Sequence, residues 1–215
     1  MKTFILSLAA AMVLFFTSCV KDAGTGTSSI TFQLKAATSA VNGAGIVWTA
    51  GTAGVASTKI EAKKNDSSAV EFKADPNVQL DLFGAVNISN ISVPSGTFRH
   101  VEFRTELQPL SSKPTLFLDG NYTAGGVTTP ISFDVETAVT VISDRDSIVI
   151  AATTSTYTAL TTVALVTLTQ DVTEADLKAA TRNSAGKIII SAVSNVAVYN
   201  KMLANLAKPQ VIDFK

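Results

Sequence analysis

In 215 residues the chain has one cysteine, one histidine and one tryptophan. The lone thiol of Cys19 cannot close an internal disulfide or build a zinc cluster. Because His100 is the only imidazole, any Ser-His-Asp chemistry must pass through it, and no Gly-x-Ser-x-Gly elbow accompanies it. Glycine-rich phosphate loops and metal-ligand spacings are also missing. Charge is sparse and balanced, 17 basic against 17 acidic residues, which argues against nucleic acid or an anionic lipid surface as partner.

What is present starts at the amino terminus. Lys2 supplies a short positive region and Phe4 to Phe16 an apolar run too short to cross a bilayer comfortably. Small residues follow, so residues 1–18 read as a signal peptide rather than as an uncleaved anchor helix. Phe16-Thr17-Ser18-Cys19 resembles the lipobox of bacterial lipoproteins, with Phe where Leu is usual. The resemblance implies that Cys19 is lipidated and opens the mature chain. Val20-Lys21-Asp22 resembles the charged export signal of surface lipoproteins in Bacteroidota, and Val20 is not the Asp of an inner-membrane retention signal. The expected location is therefore the outer membrane, lipid-anchored, with an outward and a periplasmic orientation both open and residues 19–28 as a flexible tether.

From Ser29 on, short runs rich in Val, Ile, Thr and Phe alternate with Gly, Asn, Asp and Pro. Ile30, Phe32, Leu34 and Ala36 share one face of a first strand. Ile46 to Ala50 reads as a second strand, closed by a turn at Gly51 to Gly54. Val86 to Leu107 reads as a hairpin about Val93-Pro94-Ser95-Gly96, its second arm alternating Val101, Phe103, Thr105 and Leu107 with charged residues. Phe98 is out of phase and predicts a bulge or an end-covering ring. Asp119-Gly120-Asn121 and Ser143-Asp144-Arg145-Asp146 read as turns.

Near the carboxyl terminus Ala159 to Thr169 reads as a long strand. Thr173, with an acid three residues on, opens a short helix through Ala180. A strand follows at Lys187 to Ser191, then a helix from about Asn195 to Leu206 and a last strand at Gln210 to Phe214. The fold class is a mainly β, antiparallel β-sandwich with two short helices near the carboxyl terminus. It occupies residues 29–215 as one domain, with a subdomain seam near 155–158.

The lipobox, Val78 to Phe83 (VQLDLF), Val93 to Phe98 (VPSGTF) and Pro130 to Glu136 (PISFDVE) together resemble β-sandwich lipoproteins of Bacteroidota. These include transthyretin-like, or prealbumin-like, domains of unknown function and fimbrillin-like adhesins. The resemblance covers roughly Ile30 to Ile150, not the tail from Asp171, and carries no catalytic residues with it. Asp146-Ser147-Ile148 likewise resembles the O-glycosylation motif of that phylum.

Candidate chemistry is thin. His100 with Glu102 and Glu106 lies on one strand face, but same-face neighbours stand about 6–7 Å apart, so a solvated charged face is preferred to a metal site. Asp119 with Asn121, and Asp144 with Asp146, fit turns better than calcium. Asp134 and Glu136 form an i,i+2 carboxylate pair of the type used in glycoside hydrolysis, without an aromatic groove in view. Trp48, Tyr122, Tyr157 and Tyr199 are sugar-stacking candidates if exposed and core residues otherwise. The expectation is a non-catalytic surface binding or adhesion module with no cofactor and no metal, its partner a glycan or an envelope protein. The alternatives are a fimbrillin-like subunit assembling by strand exchange and a carboxylate-dependent glycan hydrolase.

Overall fold

The computed structural model describes residues 26–37, 45–84, 86–154 and 156–215. The signal peptide, Cys19 and most of the loop between Ala37 and Gly45 lie outside the described residues. The first strands are β1 (Thr27–Ala36), β2 (Ile46–Lys64), β3 (Ala69–Ala74), β4 (Val78–Asp81), β5 (Val86–Pro94) and β6 (Gly96–Leu107). There follow β7 (Leu116–Ala124), β8 (Val127–Val135), β9 (Val139–Ile150) and β10 (Thr156–Val163). Helices α1 (Leu165–Leu168) and α2 (Glu174–Lys178), strand β11 (Ile188–Ile190), helix α3 (Val196–Leu206) and strand β12 (Val211–Phe214) complete the chain. Two sheets form the expected sandwich. One has the order β12-β10-β1-β5, and β2 is the spine of the other.

β2 is long because it does not turn at Gly51 to Gly54. Ala53 pairs with Leu80 of β4 on one edge and with Leu116 of β7 on the other; Val55 pairs with Val78 of β4 and Leu107 of β6. β6 and β7 therefore lie end to end along one edge of β2, while β3 and β4 lie end to end along the other. β9 and β8 run antiparallel to β6 and β7 in turn. Gly51 and Gly54 serve close approach rather than a turn. A Cβ on Gly51 would meet Leu118 Cδ2 at 2.7 Å, and one on Gly54 would meet Gln108 O at 2.3 Å.

The hairpin expected at Val86 to Leu107 is a corner between sheets. β5 pairs with β1 and β6 with β2 and β9. Each arm carries its own apolar face, Ile88, Ile91 and Val93 against Val101, Phe103 and Leu107, all buried. Facing one another across the core buries both sets. Ser95 fixes the corner by donating both its N–H and its hydroxyl to Gly26 O, at 2.8 and 2.9 Å. Phe98 is buried, and a bulge follows it: His100 has φ 48°, and β6 slips against β2 between Glu61 and Lys63.

Two more expected turns are strand interiors. β7 runs straight through Asp119-Gly120-Asn121, and the reversal comes at Gly125 and Gly126, whose φ values of 55° and 78° suit a two-residue hairpin loop. β9 runs through Ser143 to Asp146, where four consecutive exposed residues, Asp144 to Ser147, mark the change of phase matching that of β6. Strand β10 stops at Val163. The next segment buries Leu165 and Leu168 at helical spacing, and Thr169 Oγ1 donates to Leu165 O at 3.0 Å, making a third helix.

Pairing is mostly antiparallel, with parallel exceptions at β1–β10 and β8–β11. β1 begins two residues before the expected Ser29, inside the span expected as tether. Ser28 is buried and its hydroxyl donates to Thr154 O at 2.5 Å. Phe32 and Phe103 join the sheets with ring centres 5.9 Å apart, and Phe214 lies 5.7 Å from Phe103. The α2 capping box forms as expected: Asp176 N–H donates to Thr173 Oγ1, and Thr173 N–H to Asp176 Oδ2. Lys201 of α3 pairs with the same carboxylate at 2.8 Å and, with the Thr173 bonds, holds Asp176 down to about 2.

Gly120 supplies a direct test of β7 packing. A Cβ there would meet Val47 O at 2.3 Å and Trp48 Cα at 2.9 Å, backbone that cannot step aside. Gly120→Ala is expected to cost at least about 2 kcal/mol in urea unfolding. Gly126→Asn, at an open turn with nothing within 4 Å of the added Cβ, is expected to cost under about 1 kcal/mol. Equal effects would contradict the continuous strand.

Candidate functional site

Where β6 gives way to β7, residues 108–115 leave the edge of β2 and return to it. Both ends of this loop bind one residue: Gln108 N–H donates to Gly54 O at 2.9 Å, and Gly54 N–H to Thr115 O at 3.0 Å. The tip closes through Lys113 N–H to Leu110 O at 2.9 Å, with Ser111 and Ser112 at φ 51° and 63°. Two adjacent non-glycine residues in the left-handed region cost on the order of 1 kcal/mol each. The anchored ends hold the loop in that state.

The loop walls a cleft of about 530 Å³, to which it contributes Pro109, Ser112, Lys113 and Pro114. β7 contributes Phe117, and β8 with the residue after it contributes Asp134 and Glu136. Phe117 is directly paired with Asp134 in the β7–β8 register. Leu116, Leu118 and Tyr122 point inward along β7, so Phe117, Asp119 and Asn121 line its other face. Lys187 pairs with Asp119 at 2.6 Å and places its ammonium 5.8 Å from the centre of the Phe117 ring.

Asp134 is the unusual group. Its Oδ1 is buried without a hydrogen-bond partner. Burial raises its pKa above the ordinary carboxyl value, reinforced by Glu136 and Asp119 and opposed by Lys187. The cleft thus offers an outward aromatic ring, two carboxyl groups and an ammonium. It can bind a donor-bearing ligand.

The other sequence candidates do not converge there. Glu106 accepts from Ser57 Oγ at 2.6 Å and pairs with Lys59 at 3.1 Å; Ser57 first and Lys59 second lower its pKa. Glu102 pairs with Arg104, which also reaches Glu61 at 3.4 Å. His100 lines separate hollows, one with Glu61, Glu71 and Glu102 and one with Arg99, Asp146 and Ser147. Among the described residues no group of three or more His, Cys, Asp or Glu side chains is placed to hold a metal ion. Asp144 and Asp146 are exposed on β9 rather than gathered in a loop, and Asp119 is committed to Lys187.

Trp48, Tyr122 and Tyr199 are buried core residues. Tyr157 stacks on Phe214 at 5.4 Å, and its hydroxyl accepts from Ala151 N–H. The first three offer no free face to a sugar. The aromatic that lines the cleft, Phe117, was missed. Its signal was the outward parity it shares with Asp119 and Asn121 in an alternating strand. No family model, no curated protein sequence and no solved structure matches the chain.

Asp134 carries a pH signature. Its folded-state pKa lies above the ordinary 3.8, so its contribution to stability is complete below that value and is lost as pH rises through the folded value. Asp134→Asn, which cannot ionise, is expected to gain in stability on the wild type as pH rises from 3.5 to 7. Thermal melts at the two pH values measure the gap. A gap that does not open would mean a well-solvated carboxylate.

Proposed function

We propose that the chain is a lipid-anchored protein of the outer membrane whose sandwich binds a partner, a glycan or another envelope protein, without catalysing a reaction on it. The observation that carries this reading is the cleft in which the Asp134 and Glu136 carboxyl groups accompany the outward Phe117 ring. Rigid strands hold both, as suits a preformed recognition site. No imidazole stands in the cleft to serve as a base, since His100 lines other hollows. Support for the anchor is the lipobox at Cys19. Each buried CH₂ of an acyl chain contributes about 0.8 kcal/mol, so two or three chains hold a domain stably where one would not.

Two other readings each have an observation in their favour. Asp134, its pKa raised by burial, lines one cleft with Glu136, and two carboxyl groups in unlike surroundings are the equipment of glycan hydrolysis. β1, the first described strand, is central in its sheet between β10 and β5, the position a strand exchanged between subunits of a fimbrillin-like assembly would fill.

Cys19→Ala is expected to abolish acyl labelling and release the protein from membranes, and crosslinked cells are expected to yield a specific partner. Retained labelling would refute the anchor. Turnover of a polysaccharide library by the purified protein, lost in Glu136→Gln, would refute the non-catalytic reading. Heat-resistant ladders on gels would replace it with strand exchange.

A further inference from the structure

We infer that the cleft takes a neutral saccharide, one sugar face lying against Phe117 and ring hydroxyls donating to Asp134 and Glu136, and that it rejects acidic glycans. The inference rests on the binding reading above and names its ligand class.

Three features of the cleft narrow the ligand. The carboxyl groups of Asp134 and Glu136 on its wall call for a ligand that donates hydrogen bonds. Asp134 and Glu136 put two carboxyl groups on the cleft wall, while Asp119 and Lys187 cancel one another, and those carboxyl groups repel a uronate or a sulfated sugar laid against them. A cation meets the opposite obstacle, because the Lys187 ammonium already stands 5.8 Å from the Phe117 ring centre and Lys113 sits at the rim. A single lysine or arginine side chain would also leave much of about 530 Å³ empty. A neutral ligand with many hydroxyls and one apolar face satisfies the acceptor, the ring and the charge together. Sugars have that composition.

The test uses the full chain in detergent on an array of neutral glucans, mannans and xylans beside polygalacturonate and alginate. Binding of at least one neutral glycan is expected, weakened tenfold or more by Phe117→Ala and by Glu136→Gln and unchanged by His100→Ala. Both cleft variants are checked for a wild-type melting curve. The neutral Asp134→Asn supplies a second handle, since it alters acceptor strength without emptying the cleft, and a loss of severalfold is expected. Equal or tighter binding of the acidic polymers would overturn the ligand class. Neutral-glycan binding indifferent to Phe117→Ala and Glu136→Gln would overturn the placement, though not the binding reading. An envelope protein crosslinked at the cleft, with no glycan bound, would overturn the saccharide and leave the binding reading standing.

Discussion

The two backbone groups of Gly54 hold the loop at residues 108–115, and the cleft it walls, in place. Its N–H donates to Thr115 O and its carbonyl accepts from Gln108 N–H, so one residue of the spine ties both ends of the loop that separates β6 from β7. No other residue fits, because a Cβ at this point would lie 2.3 Å from Gln108 O and 3.1 Å from Leu110 Cγ. With the tie made, β6 and β7 share one edge of β2, β9 and β8 follow them, and the loop is pushed outward over Phe117 and Asp134. The cleft is a consequence of how an interrupted ribbon pairs with an uninterrupted one.

The same geometry explains why the site sits where it does in energetic terms. Loop residues 108–115 carry a local conformational cost at Ser111 and Ser112, and Asp134 carries a desolvation cost. Neither feature improves the fold. The surrounding core, with Leu116, Leu118, Phe133 and Val135 buried behind the cleft, is large enough to tolerate both. Two such costs beside one concave surface on a rigid support are what mark this cleft as the candidate site.

Much of the fold was legible in the chain because its signals are local. Alternation marked β1 and β6, the Thr173–Asp176 capping box marked α2, and one apolar face marked α3. What misled was the double use of turn residues. Gly51, Gly54 and Gly120 serve close approach between strands, and Asp119, Asp144 and Asp146 project from strand faces. Pro94-Ser95-Gly96 does bend the chain, yet whether a bend closes a hairpin or carries the chain to the opposite sheet depends on partners far away, β1 for one arm and β2 for the other. The site was half legible for the same reason. Asp134 and Glu136 were visible as an i,i+2 pair, while Phe117 and Lys113 join them only through the β7–β8 register and the Gly54 tie.

Amide hydrogen exchange at the Gly54 tie tests this account most directly. The amides of Gly54 and Gln108 should exchange as slowly as those of Val55 to Ile60 in the spine, while Ser111 and Ser112 between them exchange at loop rates. Gly54 and Gln108 exchanging together with Ser111 and Ser112 would contradict it, for the loop would then be free of β2 and the cleft would have no fixed wall.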